Sequence, residues 1–193
     1  MPVIHVAYGH DDVALSLPDD VDVVDGGFAP ADAVVDPLGT VARALDDPVG
    51  APPLTEAARG KRAVAIVVPE RSRPGPVQAT LLPVLSRLAR AGVQPEQMRI
   101  IVARGLHGAA PREDVKRMLG AEVMDVLRPV QSAPDTPELN ESIGSHPLLG
   151  DVRVHRQVAT ADLVVLVGRV ARHPVAGFSG GAMSLVPGVA ERD

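Results

Sequence analysis

The sequence predicts an α/β fold, an open and mostly parallel sheet with flanking helices (Rossmann-like), preceded by an N-terminal β-hairpin. Three segments of strand length carry this prediction, at residues 63–68, 99–103 and 163–167, and the first and third are apolar throughout. Apolar residues at helical spacing lie between the first two segments, so strand, helix and strand follow one another along the chain. That order forms a right-handed βαβ unit with parallel strands, which indicates the α/β class.

The hairpin is predicted from two short apolar runs near the start of the chain. Val3–Tyr8 and residues 13–17 are separated by Gly-His-Asp-Asp at positions 9–12, a sequence typical of turns. The stretch 30–53 that follows is rich in proline and aspartate. Within it we expect one short helix, over residues 38–45.

The first strand and the helix after it have the clearest patterns. Residues 63–68 are apolar without interruption, as expected for a strand buried on both faces. Apolar residues then recur at helical spacing until Gly92 ends the helix, namely Val77, Leu81, Val84, Leu85 and Leu88. Pro83 lies inside this helix, where it removes one backbone hydrogen bond.

The second half of the chain is less regular. A second helix is predicted over residues 111–119, because Pro111 suits a first turn and Gly120 suits a helix end. Residues 128–151 are predicted to be irregular, and residues 154–158 to form a short strand. The run at 163–167 is then expected to be a third, buried strand.

Composition limits the possible functions. The 193 residues predict one domain, residues 1–193, with a core of valine, leucine, isoleucine and alanine, because aromatic residues are only 2%. That scarcity argues against a base-stacking surface for nucleic acid, and the net charge of −5 argues against a polyphosphate-binding surface. Since the chain has no cysteine, disulfides, thiolate zinc sites and a cysteine nucleophile are excluded.

The expected location is the cytoplasm. No segment reaches the roughly 18 consecutive apolar residues that a membrane-spanning helix needs. Residues 1–10 have neither the basic region nor the long apolar region of a signal peptide. We therefore expect neither a membrane nor a nucleic acid as a partner.

Polar residues follow each of the three predicted strands, where ligands bind in open parallel sheets. Arg73, His107 and His173 lie in these three loops, and they converge if the strands are neighbours. Arginine can hold a carboxylate in a bidentate pair, and histidine can move protons near neutral pH. Any one of them alone is more typical of an ordinary surface residue. Together, at successive strand ends, they predict a site for a small carboxylic acid.

The segment 173–188 is the most unusual part of the sequence. Four glycines, two prolines, two serines and a histidine lie in a stretch that is otherwise apolar. Glycine lets the backbone approach a ligand closely, and consecutive N–H groups can bind an anion. The plainer interpretation is a tight turn before a helix. The remaining histidines are His5, His10, His146 and His155. Their spacing is not that of metal ligands, so we expect them to be structural or solvated, and we predict no metal ligands.

Three motifs together resemble the N-terminal domain of the lactate racemase family, the racemases of 2-hydroxy acids that depend on a nickel-pincer nucleotide. Residues 70–74, Glu-Arg-Ser-Arg-Pro, resemble the family's Asp-x-Thr-Arg-Pro. Residues 105–107, Gly-Leu-His, resemble its Gly-Thr-His. Residues 172–188 are similar to its Pro-His, Ala-Gly-(Phe/Tyr)-Ser-Gly-Gly-x-Lys and Pro-Gly series. The resemblance runs from residue 8 to residue 188.

The resemblance implies a mechanism and a role for each residue. A histidine takes the hydroxyl proton of a 2-hydroxy acid while hydride moves to the cofactor, and a second histidine serves the opposite enantiomer. By this resemblance His107 and His173 are the catalytic acid/base pair. Arg73 binds the substrate carboxylate, with Glu70 as its partner. The cofactor-binding residues are Ser179, Gly180, Gly181 and Met183.

The sequence also departs from the family pattern. Met183 stands where the family has the lysine that tethers the cofactor, so a bound nickel-pincer nucleotide is expected to be non-covalent. Leu106 and Arg172 replace threonine and proline beside the two histidines, which changes the surroundings of the substrate. The family's C-terminal domain, with its nickel-ligating histidine, is absent from residues 1–193. We therefore expect a second domain or a partner chain to close the site.

Three functions remain open. The first is a racemase or epimerase of a small 2-hydroxy acid. The second is a non-catalytic relative that binds a small acid or a nucleotide, an interpretation favoured by Met183 and the short chain. The third is a different, nickel-free enzyme that uses the histidine pair for proton transfer. A reading frame that continues into a second α/β domain favours the first function, and a stop codon after Asp193 favours the second.

Overall fold

The computed structural model describes residues 2–8, 11–24, 34–73 and 75–192. It divides into two compact units, residues 1–33 and residues 34–193. The first unit contains the predicted hairpin, in which β1 (Val3–Tyr8) pairs antiparallel with β2 (Asp11–Ser16). The hydrogen bond from Leu17 N to Pro2 O extends this pairing at its open end. The hairpin is thus confirmed, while its turn residues Gly9 and His10 lie outside the described residues.

The second unit contains a four-stranded parallel sheet with helices around it. Its strands lie in the order β5 (Val130–Gln131), β4 (Met98–Ala103), β3 (Val64–Pro69) and β8 (Leu163–Leu166). Every neighbouring pair is parallel, which confirms the predicted class. The elements up to the second sheet strand are α1 (Pro37–Asp46), α2 (Leu54–Ala57), β3 (Val64–Pro69), α3 (Val77–Arg90) and β4 (Met98–Ala103). Those that follow are α4 (Arg112–Leu119), α5 (Ala121–Leu127), β5 (Val130–Gln131), β6 (Asn140–His146), β7 (Gly150–His155), α6 (Arg156–Ala159), β8 (Leu163–Leu166), β9 (Ala171–His173) and β10 (Gly177–Ser179).

Strand β3 is central and buried on both faces, as its uninterrupted apolar sequence predicts. Successive side chains of a strand point to opposite faces. Val64, Ile66 and Val68 therefore join the core formed with α3, α4 and α5. Ala65 and Val67 join a second core on the other face, together with residues of β7, α6 and the segment at 185–190. Burial on both faces fixes β3, and with it the loop that begins at its carboxyl end.

Strand β8 differs from its prediction. We expected a buried strand at residues 163–167, but Leu163–Leu166 is only half buried. The reason is its position, because β8 pairs with β3 alone and forms one edge of the sheet. Its parallel register with β3 still brings the carboxyl ends of the two strands to the same edge of the sheet.

The prediction of an irregular segment at 128–151 is wrong. This segment contains β5, β6 and the start of β7, and β6 pairs antiparallel with β7. Its sequence hides this because six of the seven residues of β6 are exposed, so no apolar alternation is present. The strand predicted at 154–158 is the end of β7, and the chain turns into α6 at Arg156. Helix α5 was not predicted either. Among the helices of the described ranges, none is long and apolar enough to cross a bilayer.

His155 is buried at the end of β7, as expected of a structural histidine. It is 5% exposed, and its backbone N donates to Val189 O at 2.9 Å. Its Nδ1 has no hydrogen-bond partner among the residues that the structure describes. Burial is the main cause that lowers the pKa of His155 from its ordinary value, and the nearby positive charge of Arg156 lowers it further. The folded chain therefore keeps this ring neutral at pH values where the unfolded chain protonates it.

We predict that the free energy of unfolding decreases as the pH is lowered below about 6.5, the ordinary pKa of histidine. Above that pH the ring is neutral in both states and contributes nothing. Below it, the unfolded state binds the proton first, so stability is lost as pH falls toward the lowered pKa of His155. Urea unfolding at several pH values measures this. His155→Gln should flatten the dependence.

Candidate active site

A pocket of about 490 Å³ lies at the carboxyl ends of β3, β4 and β8. The loops that follow these three strands each contribute to its lining, and Arg73, His107 and His173 are all among the lining residues. This convergence follows from the strand order, because β3 has β4 on one side and β8 on the other. The structure therefore brings together the three residues on which the sequence prediction of a site depends.

The loop after β3 is shaped by Glu70. This residue is 6% exposed, and its carboxylate accepts hydrogen bonds from Ser72 N at 2.7 Å and from the Ser72 hydroxyl. The backbone N of Arg73 donates to Glu70 O at 3.1 Å, which closes the turn. We expected Glu70 to be the partner of Arg73, but its carboxylate contacts Ser72. Within the described ranges no hydrogen bond or ion pair joins the side chains of Glu70 and Arg73, because the glutamate folds back onto Ser72.

His173 ends β9, and the antiparallel pairing of β9 with β10 sets its position opposite Gly177. Its Nδ1 accepts hydrogen bonds from Val175 N at 3.2 Å and from Ala176 N at 3.1 Å. An accepting Nδ1 carries no proton, so the proton of the neutral ring is on Nε2. Nε2 lies 3.4 Å from Arg73 Nη2. Two donors therefore lie side by side, where one anion can accept from both.

His107 lies in the loop after β4 and is exposed to solvent. Its backbone N donates to Arg104 O at 2.9 Å, and its carbonyl O accepts from Arg104 Nη1 at 2.7 Å. Among the described residues its ring has no hydrogen-bond partner. A neutral imidazole has one nitrogen with a free lone pair. His107 is therefore the histidine of this pocket that is available to accept a proton.

The glycine-rich loop brings bare backbone to the pocket. Gly180 has φ +91, and a Cβ there would lie 2.5 Å from Arg169 O, so a larger residue does not fit. Ser179 is buried, and its hydroxyl donates to Ala171 O at 3.3 Å. Ser179, Gly180 and Met183 line the pocket. Gly181, which was also expected to bind cofactor, opens the short 3-10 helix Gly181–Ser184 and is outside the lining.

The pocket lining carries more positive than negative charge. Its arginines are Arg73, Arg104, Arg169 and Arg172, and the acidic residue in the described lining is Glu70. A lining of this sign attracts anions. In the described ranges, no group of three or more histidine, cysteine, aspartate or glutamate side chains is placed to hold a metal ion. The arrangement suits an organic anion bound next to two histidines.

Sequence reasoning missed Arg104 and its contact with Ser132. Arg104 directly precedes the Gly-Leu-His motif and lines the pocket, and its Nε donates to Ser132 O at 2.6 Å. Ser132 is itself buried and donates to Gly188 O at 3.2 Å. The adjacency of Arg104 to the motif was the one available signal. Contacts between residues so far apart in the sequence have no local pattern.

Comparison with known proteins gives one consistent family. The family model described as lactate racemase N-terminal domain matches residues 8–193. A lactate racemase from Lactiplantibacillus plantarum is 33% identical over 151 residues, which is 78% of this chain and 35% of the relative. A lactate racemase from Thermoanaerobacterium thermosaccharolyticum is 29% identical over 192 residues, which is 98% of this chain and 45% of the relative.

Solved structures agree with the sequence comparison. The lactate racemase apoprotein from Thermoanaerobacterium thermosaccharolyticum matches with a TM-score of 0.83 and 28% identity, over 98% of this chain and 44% of that one. A protein from Thermotoga maritima matches with a TM-score of 0.63 over 81% of this chain, and its 19% identity supports the fold alone. The chain spans less than half the length of the relatives that it matches.

Proposed function

The chain belongs to the lactate racemase family, and on this premise we propose that it forms part of an enzyme that racemises or epimerises a small 2-hydroxy acid. One observation carries the proposal. Arg73, His107 and His173 reach a single cationic pocket from three different strand ends. A carboxylate anchor beside two groups able to move protons is what the interconversion of 2-hydroxy acid enantiomers requires.

Substrate binding is assigned to the paired donors. The Arg73 guanidinium donates to the substrate carboxylate, since a planar fork of N–H groups matches its two oxygens. His173 Nε2, 3.4 Å from Arg73 Nη2, then reaches the neighbouring C2 hydroxyl oxygen. Arg73 and His173 are neighbours in the pocket, as are the carboxylate and the C2 hydroxyl of a 2-hydroxy acid.

Proton transfer is assigned to the two histidines. His107 takes the hydroxyl proton of one enantiomer, and His173 in its protonated form gives a proton to the same oxygen to complete the opposite enantiomer. The hydride acceptor for the C2 hydrogen would have to come from a bound cofactor. A cationic His173 also has a proton on Nδ1, so the bonds from Val175 N and Ala176 N must then open. His107 has no such restraint, which makes it the base in the arrangement described here.

The residues of the pocket fit a non-covalent, phosphate-bearing cofactor. When bound, a nickel-pincer nucleotide would supply the hydride acceptor that side chains lack. Gly180 presents its backbone to the pocket without a side chain. Ser179, Arg169 and Arg172 line the same pocket, and these residue types suit a phosphate. Met183 lies in the same lining, where the family has its tethering lysine, and a thioether cannot form that bond.

We predict that Met183→Lys changes how the nickel-pincer nucleotide is retained. The full protein is produced together with the enzymes that make this nucleotide, and its mass is measured under native and denaturing conditions. The wild type should lose a nickel-bearing adduct on denaturation, whereas Met183→Lys should keep part of it covalently. Met183→Leu is the matched control and should behave like the wild type. A covalent adduct on the wild type would contradict non-covalent binding.

A second candidate function, a non-catalytic relative that binds a small acid or nucleotide, is favoured by Met183. The two are separated with cofactor-loaded full protein and a panel of single-enantiomer 2-hydroxy acids, analysed by chiral chromatography. Appearance of the opposite enantiomer of one acid supports the racemase. Binding of the acids without any interconversion supports the binding protein.

Closure of the pocket is assigned to a second domain or a partner chain. Arg73 and His107 are both exposed in this chain. The relatives are more than twice as long as the stretch that the chain matches. Hydride transfer requires a site from which water is excluded. We therefore expect the closing wall of the pocket to lie over Arg73 and His107.

A further inference from the structure

We infer that Arg104 is a positioning residue that fixes the loop of His107. The inference rests on the proposed function for its catalytic meaning, but its structural part can be tested alone. Arg104 lines the same pocket as Arg73, so at first sight it offers a second anchor for the substrate carboxylate. The directions of its guanidinium nitrogens indicate a different role.

Each nitrogen of the Arg104 guanidinium is directed at protein. Nε donates to Ser132 O at 2.6 Å and Nη1 donates to His107 O at 2.7 Å. Nη2 lies 3.8 Å from Asp135 Oδ2. The side chain is 16% exposed, which leaves little of it open to a ligand. Arg104 therefore holds two backbone carbonyls in place, whereas the Arg73 guanidinium lies beside His173 Nε2.

Residues 104 and 107 are bonded to each other in both directions. His107 N donates to Arg104 O at 2.9 Å, while the Arg104 side chain returns to His107 O. These two bonds close a small ring around Gly105 and Leu106. The ring of His107 itself has no partner in the described residues. Its position in the pocket consequently depends on the backbone, and Arg104 is the side chain that holds this backbone.

The base of the loop is anchored from the other side. Gly105 N donates to Gly188 O at 2.8 Å, and Ser132 donates to the same carbonyl through its hydroxyl. That hydroxyl also accepts from Arg104 N at 3.1 Å. Asp135 completes the cluster, because its Oδ1 lies 3.2 Å from Arg192 Nε. The His107 loop is thereby connected to the chain at residues 188–192.

Arginine suits this position better than lysine. A guanidinium has five N–H donors in a fixed plane and can bind two carbonyls and a carboxylate at once. A lysine ammonium is a single point charge at the end of a flexible chain. Arg104→Lys should therefore keep the charge but hold only part of the loop. Arg104→Met removes every polar contact while keeping most of the side-chain volume.

The first test follows the His107 ring directly. The full protein is labelled with nitrogen-15 histidine, and the His107 and His173 signals are identified in His107→Asn and His173→Asn variants. Arg104→Met should shift or broaden the His107 signal and leave the His173 signal in place. Arg104→Lys should give an intermediate result. An unmoved His107 signal, or an equal change at His173, overturns the inference. This test does not require turnover, so it stands even if the proposed function fails.

The second test separates positioning from substrate binding. Misplacing a catalytic group by about 1 Å can cost on the order of 100-fold in rate. Arg104→Met should therefore lower kcat about 10- to 100-fold, with little change in KM. A raised KM with unchanged kcat overturns the inference, because it would make Arg104 a substrate ligand.

Two further variants guard against a trivial loss of folding. Arg87→Met is the matched control, because Arg87 lies on α3, outside the pocket lining. Its side chain is 12% exposed, and its Nη2 is 2.6 Å from Asp46 Oδ2. It should leave the His107 signal and kcat unchanged. If Arg104→Met does not fold, Asp135→Asn is the alternative, because Asp135 is exposed and its replacement removes the carboxylate charge next to the Arg104 guanidinium. It should move the His107 signal in the same direction by less, and no movement overturns the inference.

Discussion

Replacing His107 with alanine is expected to abolish interconversion of 2-hydroxy acid enantiomers and to leave the chain folded. A positioned acid or base contributes about 100- to 10,000-fold to a rate. The ring of His107 is exposed and makes no hydrogen bond within the described ranges, so its removal costs little stability. Chiral chromatography of the product and thermal unfolding of the variant measure the two expectations.

His173→Ala is expected to abolish the same reaction, because each enantiomer needs both histidines. His146→Ala is the matched control. His146 is an exposed histidine whose Nδ1 accepts from Leu148 N at 3.2 Å, a bond like that from Val175 N to His173 Nδ1. His146 lies outside the pocket lining, so its variant should keep full activity. Activity retained in either pocket variant would remove the two-histidine mechanism.

Replacing Arg73 with methionine is expected to raise KM far more than it lowers kcat. Hydrogen bonds to charged groups contribute about 1.5–3 kcal/mol each, so losing a bidentate pair should weaken substrate binding about 100- to 10,000-fold. Steady-state kinetics with each enantiomer measures the change. Arg73→Lys should recover part of the binding, because it restores the charge without the fork.

Arg71→Met is the control for the Arg73 variant. Arg71 is two residues away in the same loop, but its Nη1 pairs with Asp114 Oδ2 at 2.8 Å and it is outside the pocket lining. Its replacement should leave KM unchanged. An unchanged KM in Arg73→Met would instead show that the carboxylate binds elsewhere in the pocket.

The sheet and the location of the site could be predicted from the sequence because their signals are local. The apolar run of β3 and the helical spacing of α3 each occupy a few consecutive residues. Once β3, β4 and β8 are assigned as parallel strands, the loops with Arg73, His107 and His173 must share one edge of the sheet. Local sequence patterns are therefore sufficient to predict where the candidate site lies.

The contacts that shape the site could not be predicted in this way. Glu70 folds back onto Ser72 instead of pairing with Arg73, and both partners lie within three residues of it in the sequence. Arg104 reaches Ser132 O across 28 positions, and only the packing of the folded chain brings them together. The hairpin of β6 and β7 was missed because an exposed polar strand has no apolar period. Side-chain direction and exposed pairing are set by tertiary contacts.

The fate of the C2 hydrogen tests the central claim most directly. A 2-hydroxy acid deuterated at C2 is racemised in ordinary water by the cofactor-loaded full protein, and the opposite enantiomer is isolated and analysed by mass. If the C2 hydrogen moves as hydride while His107 and His173 exchange only the hydroxyl proton, the product keeps its deuterium. If the histidines instead remove the C2 hydrogen as a proton, the deuterium is lost to water, and the hydride mechanism is contradicted.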